Sequence, residues 1–97
     1  MEFEFHPDAE AEVNDAAGWY EAEVAGLASD FLSEFRRALD ALLTEPERSL
    51  QIEPGIRRYL LKRFPYAIIY VIRKDRVRIV AVMHLHRKPG YWKERLE

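Results

Sequence analysis

The stretch from Ile56 to His86, IRRYLLKRFPYAIIYVIRKDRVRIVAVMHLH, decides the fold. It holds three segments of β character: Ile56 to Phe64, Tyr66 to Arg73 and Arg76 to His86. Pro65 has no backbone N–H and separates the first two, so Arg63-Phe64-Pro65-Tyr66 reads as a turn. The two-residue link Lys74-Asp75 joins the last two as a hairpin, although neither residue is glycine or asparagine. The middle segment, Tyr66 to Ile72, lacks polar alternation and predicts a central strand covered on both faces. The last segment alternates. Val77, Ile79, Ala81, Met83 and Leu85 are expected on one side, and Arg76, Arg78, Val80, Val82, His84 and His86 on the other. One face of the sheet should then pack on helices while the second carries the cations.

Upstream of this stretch, residues 45 to 55 (EPERSLQIEPG) contain two prolines and a glycine and read as a loop. Before them lie two apolar stripes at helical spacing. Ala28, Phe31, Phe35, Leu39 and Leu42 form one, closed by Pro46; Ala9, Val13, Ala16, Tyr20, Val24 and Leu27 form the other. Pro7 suits a first helical position, Asp8 and Glu10 complement the helix dipole, and Gly26 marks the break between the helices. Glu2 to His6 alternates charge with Phe3 and Phe5, the period of a short strand. Downstream, Pro89 to Glu97 suggests a short helix with Tyr91 and Trp92 folded back onto the body. The expected architecture is α+β: a small antiparallel sheet of about four strands packed on an N-terminal antiparallel helical hairpin, in the order β-α-α-β-β-β, within a single domain spanning 1–97.

Bulk properties agree with a globular chain. It has 97 residues, 48% of them hydrophobic and 33% charged, and no cysteine, which removes disulfides and thiolate metal sites. No basic n-region and apolar h-region opens the chain, and the longest apolar run, Ala67 to Ile72, is far too short for a bilayer span. A soluble, cytoplasmic protein is expected, with no membrane association. Its charge is segregated. Residues 1–54 hold 14 of the 17 acids against three arginines, a net of −11, whereas residues 55–97 hold 12 cations against three acids, a net of +9. A basic segment of this size suggests an anionic partner, either nucleic acid or an acidic protein.

The cations Arg57, Arg58, Lys62, Arg63, Arg73, Arg76, Arg78, Arg87 and Lys88 are interleaved with Tyr59, Tyr66, Tyr70, Tyr91 and Trp92. Guanidinium groups pair with phosphate and aromatic rings stack on bases, so this set reads either as an RNA platform or as a solvated face that keeps edge strands soluble. His84 and His86 alternate on one strand. They read as an acid–base pair or phosphate contacts, or as structural histidines; a metal would need a third ligand that no motif supplies, and no cofactor is expected. Tyr91 and Trp92 read first as aromatics packed over the edge of the core. No serine or cysteine nucleophile motif and no glycine-rich phosphate loop is present.

In order and spacing, these residues coincide with a known family. His6-Pro7-Asp8-Ala9, Trp19-Tyr20-Glu21, Gly26 to Leu32, Ile56 to Tyr70 and Val80 to Trp92 together resemble the ParE/RelE superfamily of type II toxin–antitoxin modules, also called plasmid stabilisation proteins. The resemblance covers nearly the whole chain. It implies a small antiparallel sheet cradling a helical hairpin, growth inhibition, a cognate antitoxin as protein partner, and a toxin–antitoxin hetero-oligomer.

Within that superfamily the resemblance implies one of two activities. RelE-like members cut messenger RNA in the ribosomal A site; here their catalytic positions would fall near Lys62, Arg63, Arg87 and Tyr91. ParE-like members bind and poison DNA gyrase. The RelE-like arginine that follows the turn tyrosine is replaced by Ala67, and Phe64-Pro65-Tyr66 with the Pro-Gly-Tyr-Trp ending is closer to ParE. The expectation is therefore a ParE-like gyrase inhibitor, with the endoribonuclease or a non-toxic antitoxin-binding member as alternatives. Arg57, Arg58, Arg73, Arg78, His84, His86, Lys88 and Trp92 are the expected contacts to target or antitoxin.

Overall fold

The computed structural model describes residues 1–96. In chain order it contains β1 (Glu2–Phe5), α1 (Pro7–Glu23), α2 (Leu27–Thr44), β2 (Leu50–Glu53), β3 (Ile56–Leu60), β4 (Tyr66–Arg73), β5 (Arg76–His84) and a closing 3-10 turn, Lys93–Leu96. The strands form one sheet in the order β1-β5-β4-β3-β2. The α+β hairpin-and-sheet architecture is as expected, with departures in strand count, strand direction, strand ends and, most of all, the second face of the sheet.

The sheet has five strands, because part of the expected loop at 45–55 is β2. Pro54-Gly55 is the turn of a β2–β3 hairpin: Gly55 adopts φ 78° and donates its N–H to Gln51 Oε1 at 2.8 Å. A Pro-Gly pair is as good a hairpin signal as a loop signal. The sheet is also mixed. β1 runs parallel to β5, while the other pairings are antiparallel. Finally, β3 stops at Leu60 and β5 at His84, short of the expected Phe64 and His86.

The helices form where the stripes predict. His6 accepts the Asp8 N–H at 3.0 Å and caps α1. α1 ends at Glu23, so Val24, expected on its apolar stripe, is exposed. Gly26, at φ 88°, starts α2 without a side-chain cap of its own. Glu21 reaches across from α1 instead, its carboxylate accepting the N–H groups of Gly26 and Ala28 at 3.1–3.2 Å.

Helices and sheet enclose one core of Ala9, Val13, Ala16, Phe31, Phe35, Leu39, Leu42, Phe64, Ile68, Tyr70, Val77, Ile79 and Val82. Tyr20, Phe31, Phe64 and Tyr66 form an aromatic cluster with centroids 4.9–6.3 Å apart. Tyr70 is fully buried, and its hydroxyl donates to the Pro46 carbonyl at 2.6 Å.

The second face of the sheet differs most from expectation. In β5 the pairing Ile69↔Ala81 is followed by Tyr70↔Ile79, which leaves Val80 as the extra residue of a bulge. The bulge breaks the predicted alternation. Val77 and Ile79 pack toward the helices, Val80 and Ala81 belong to the opposite face, and Val82 turns back to the helices. That opposite face is apolar at its centre, with Ile56, Ala67, Ile69, Val71, Val80 and Ala81, and Trp92 seals it at 2% exposure with help from Tyr91 and Leu96. It is not an open cation face: the C-terminal segment lies across it. Lys93 pairs with Glu53 of β2 at 3.0 Å and Arg73 of β4 donates to the Leu96 carbonyl, so the segment is tied down both at the edge strand β2 and at the central strand.

Candidate functional site

Of the expected site residues, Arg87 and Tyr91 converge on a residue the sequence reading did not single out, Glu12 of α1. β1 ends at Phe5, and its last neighbouring bond is His6 N–H to the Ile79 carbonyl at 2.9 Å. Beyond that point, among the described residues, no strand lies beside the edge of β5. Glu12 fills the gap: its Oε1 accepts the Val82 N–H at 2.9 Å. The same carboxylate accepts the Tyr91 hydroxyl at 2.7 Å, Arg95 through Nη1 and Nη2 at 2.9 and 3.0 Å, and Arg87 Nη1 at 3.4 Å. Arg87 also lies over the Tyr91 ring, 3.7 Å from its centroid, and Arg95 approaches the same ring at 5.2 Å. Glu12 and Arg95 are largely buried, so this is a desolvated pair completed by hydrogen bonds.

Burial, and then the hydrogen bond and charge of Glu12, push the Tyr91 phenol well above the ordinary tyrosine value of 10.0, with Arg87 and Arg95 only partly offsetting them. A phenol raised on folding contributes stability that is complete below the unfolded value and lost as pH rises through the folded one. Tyr91→Phe removes that contribution and its loss. Above pH 10.0 its stability should decline less steeply than the parent's in denaturant melts taken at increasing pH. Equal slopes would mean that Tyr91 ionises as readily folded as unfolded.

The other expected residues scatter. Arg57 points toward the helix side and donates to the Glu47 and Ser49 carbonyls at 2.7 and 2.8 Å, a structural role. Arg78 pairs with Glu4 at 2.8 Å and Arg73 holds the C-terminal turn. Trp92 is core, not a contact surface. Arg63 pairs with Asp30 at 3.3 Å, and the N–H groups of Lys62 and Arg63 donate to Glu34 Oε2 at 2.6 and 2.9 Å, which fixes the turn between β3 and β4. His84 accepts the His86 N–H through Nδ1 at 3.0 Å, and the two rings lie edge to face at 5.1 Å. Among the described residues no group of three His, Cys, Asp or Glu could hold a metal ion.

Several hollows open on the surface, and two regions of it hold expected site residues. Between α2 and the β2–β3 hairpin runs a groove of about 740 Å³, lined by Ala41, Leu42, Leu50, Tyr59 and Leu60 with Arg48 and Arg58 at its rim. A smaller hollow of about 250 Å³ shares Ala41, Tyr59 and Leu60 with it and adds Arg37 and Lys62. Leu50 and Leu60 are 62% and 45% exposed. At the other side of the sheet, Trp19, Tyr66, His84 and Arg87 line a separate depression of about 250 Å³.

Glu12 and Glu34 had a legible signal. Each lies three residues after and four before a buried apolar position, Ala9 and Ala16 in one case and Phe31 and Ala38 in the other. An acid on a buried stripe needs donors, and both found backbone N–H groups.

Comparison with known proteins places the fold. No curated protein matches the chain. Among solved structures, a chain of the chromosomal ParDE toxin–antitoxin system from P. aeruginosa is similar over 89% of this chain and 97% of its own, with a TM-score of 0.78 at 14% identity. The family model described as the ParE toxin of the type II toxin–antitoxin system parDE matches residues 3–89. The covered sheet, the helical hairpin and that match over most of the chain agree, and this chain belongs to the ParE toxin family of type II toxin–antitoxin systems.

Proposed function

We propose that this toxin arrests growth in the cytoplasm by binding DNA gyrase and performs no RNA cleavage of its own. The observation that carries the reading is the engagement of Arg87 and Tyr91 by Glu12. RNA cleavage through the 2′-hydroxyl needs a proton donor or acceptor tuned near ambient pH and unpaired positive charge aimed at the phosphate. The Tyr91 phenol is raised away from that range and already donates to a carboxylate, and the nearest guanidinium groups share the same anion. Ala67 stands where a RelE-like arginine would, fully buried in the cluster that holds Trp92. A protein-binding activity requires none of these groups to be free.

The partner in this reading is a cognate antitoxin, as in the ParDE system to which the solved relative belongs. The α2–β3 groove suits its arm. Among the described residues Arg37, Arg58 and Lys62 pair with no carboxylate, the acids of the lining, Glu45 and Glu34, are held by Arg48 and by the Lys62 and Arg63 N–H groups, and the apolar part is leucine, alanine and tyrosine. An acidic amphipathic segment would cover both.

Two assays on the purified protein decide the target. Inhibition of plasmid supercoiling by gyrase, without new messenger RNA 5′ ends on programmed ribosomes, is the expected result. Cuts on the ribosome would make the protein a nuclease; neither effect would leave an antitoxin-binding module. Arg87→Ala is expected to weaken growth arrest at least tenfold in inducer requirement while circular dichroism stays that of the parent. Full arrest by this variant would remove Arg87 from the target surface.

A further inference from the structure

We propose that the depression at the corner of α1 and β5 is the surface on which this toxin docks its target, and that its occupant is a protein presenting one large apolar side chain beside carboxylates. The proposal rests on the growth-arresting activity of the family and not on gyrase being the target.

Trp19 is 61% exposed, an unusual position for the largest side chain on a helix otherwise dominated by small and acidic residues. It is nevertheless held: its ring stands edge to face on Tyr20 at 5.4 Å, and Tyr20 is part of the core cluster. Across the depression, Tyr66 is braced against His84 at 5.1 Å, and Arg87 is fixed by Glu12 and the Tyr91 ring. Tryptophan, tyrosine and arginine around a pocket are the side chains that dominate protein–protein binding energy, and rings already held in place lose little freedom on docking. A volume of about 250 Å³ is suited to a single side chain rather than a segment.

Charge selects the occupant. Of the run His84-Leu85-His86-Arg87-Lys88, which carries no acid, His84 and Arg87 line the depression, and Lys88, next to Arg87 in the chain, has no carboxylate partner among the described residues, so this side attracts carboxylates. The helical rim carries Asp15, and Glu12 lies in the floor. Glu12 is compensated by Arg95 and Arg87, but Asp15 would oppose a phosphate backbone threaded through the depression. A protein can place its acids on the basic rim alone. The depression shares no lining residue with the α2–β3 groove and lies across β4 from it, so antitoxin and target would be read by different surfaces.

The test uses Trp19→Ala and, independently, Lys88→Glu, expressed from a titratable promoter without antitoxin. The expected result is a tenfold or greater rise in the inducer needed for arrest, with antitoxin affinity within twofold of the parent and an unchanged thermal melt. Undiminished arrest by both variants overturns the proposal. So does a parallel loss of antitoxin affinity, which would give the depression to the antitoxin, and so does parental messenger RNA cleavage that falls in step with arrest, which would put RNA there. Should Trp19→Ala misfold, Lys88→Glu decides alone. Arrest reads the surface whichever target is hit; the gyrase reading stands or falls separately on the supercoiling assay.

Discussion

Glu12→Ala should lose about 3 kcal/mol of folding stability, which for a domain of this size lowers the melting midpoint by roughly 12 to 24 °C. One carboxylate answers four groups: the Val82 N–H, the Tyr91 hydroxyl and the guanidinium groups of Arg95 and Arg87. Removing it leaves Arg95, whose side chain is 14% exposed, with the Val80 carbonyl at 3.1 Å and the exposed Asp8 carboxylate at 3.8 Å, neither of which replaces a bidentate buried partner. A stranded, largely buried charge costs more than the pair was worth in place, because the desolvation remains and the attraction does not. Glu12→Gln should fall between parent and alanine, since an amide oxygen can still take the Val82 N–H but carries no charge for the arginines. Added salt should rescue little, because the pair is shielded from bulk ions. Thermal denaturation followed by circular dichroism measures all of this. A Glu12→Ala midpoint within about 3 °C of the parent would mean that the cluster contributes almost nothing to folding.

The prediction exposes where the sequence was legible and where it was not. The helical hairpin followed from two stripes whose period tertiary structure had no reason to override, and the β4–β5 hairpin followed from a run too short and too branched for a helix. The parallel β1–β5 pairing was not legible, because four residues carry no information about which edge they join. The bulge at Val80 was hidden for another reason. The β5 sequence is apolar on both sides from Ile79 to Met83, so either register satisfies its pattern, and only packing against Trp92 and the helices chooses. Local charge counting then failed as a guide to the site. It marked Arg57, Arg73 and Arg78 as free cations, yet their partners are backbone carbonyls and a β1 glutamate that sequence distance conceals.

The other large effect is expected at Ala67, the position where the resemblance to RelE-like nucleases would call for arginine. Ala67→Arg should not create a nuclease; it should cost more than 4 kcal/mol, a large part of what a domain of this size has in total. Ala67 has no exposed surface, faces Leu60 and Met83 across its neighbouring strands, and belongs to the cluster with Ile69, Val80 and Trp92. An arginine there either buries a guanidinium among apolar side chains or pushes Trp92 and the C-terminal segment off the sheet. Both outcomes are measurable: a collapsed melting midpoint, or a folded protein that binds an apolar dye and loses its tail to brief proteolysis. A stable Ala67→Arg protein that cuts messenger RNA on ribosomes would contradict both the covered face and the gyrase reading. The physical point is that the two residue types demand different architectures. A catalytic arginine at this position needs the second face of the sheet open to substrate, whereas alanine is what allows Trp92 to close it.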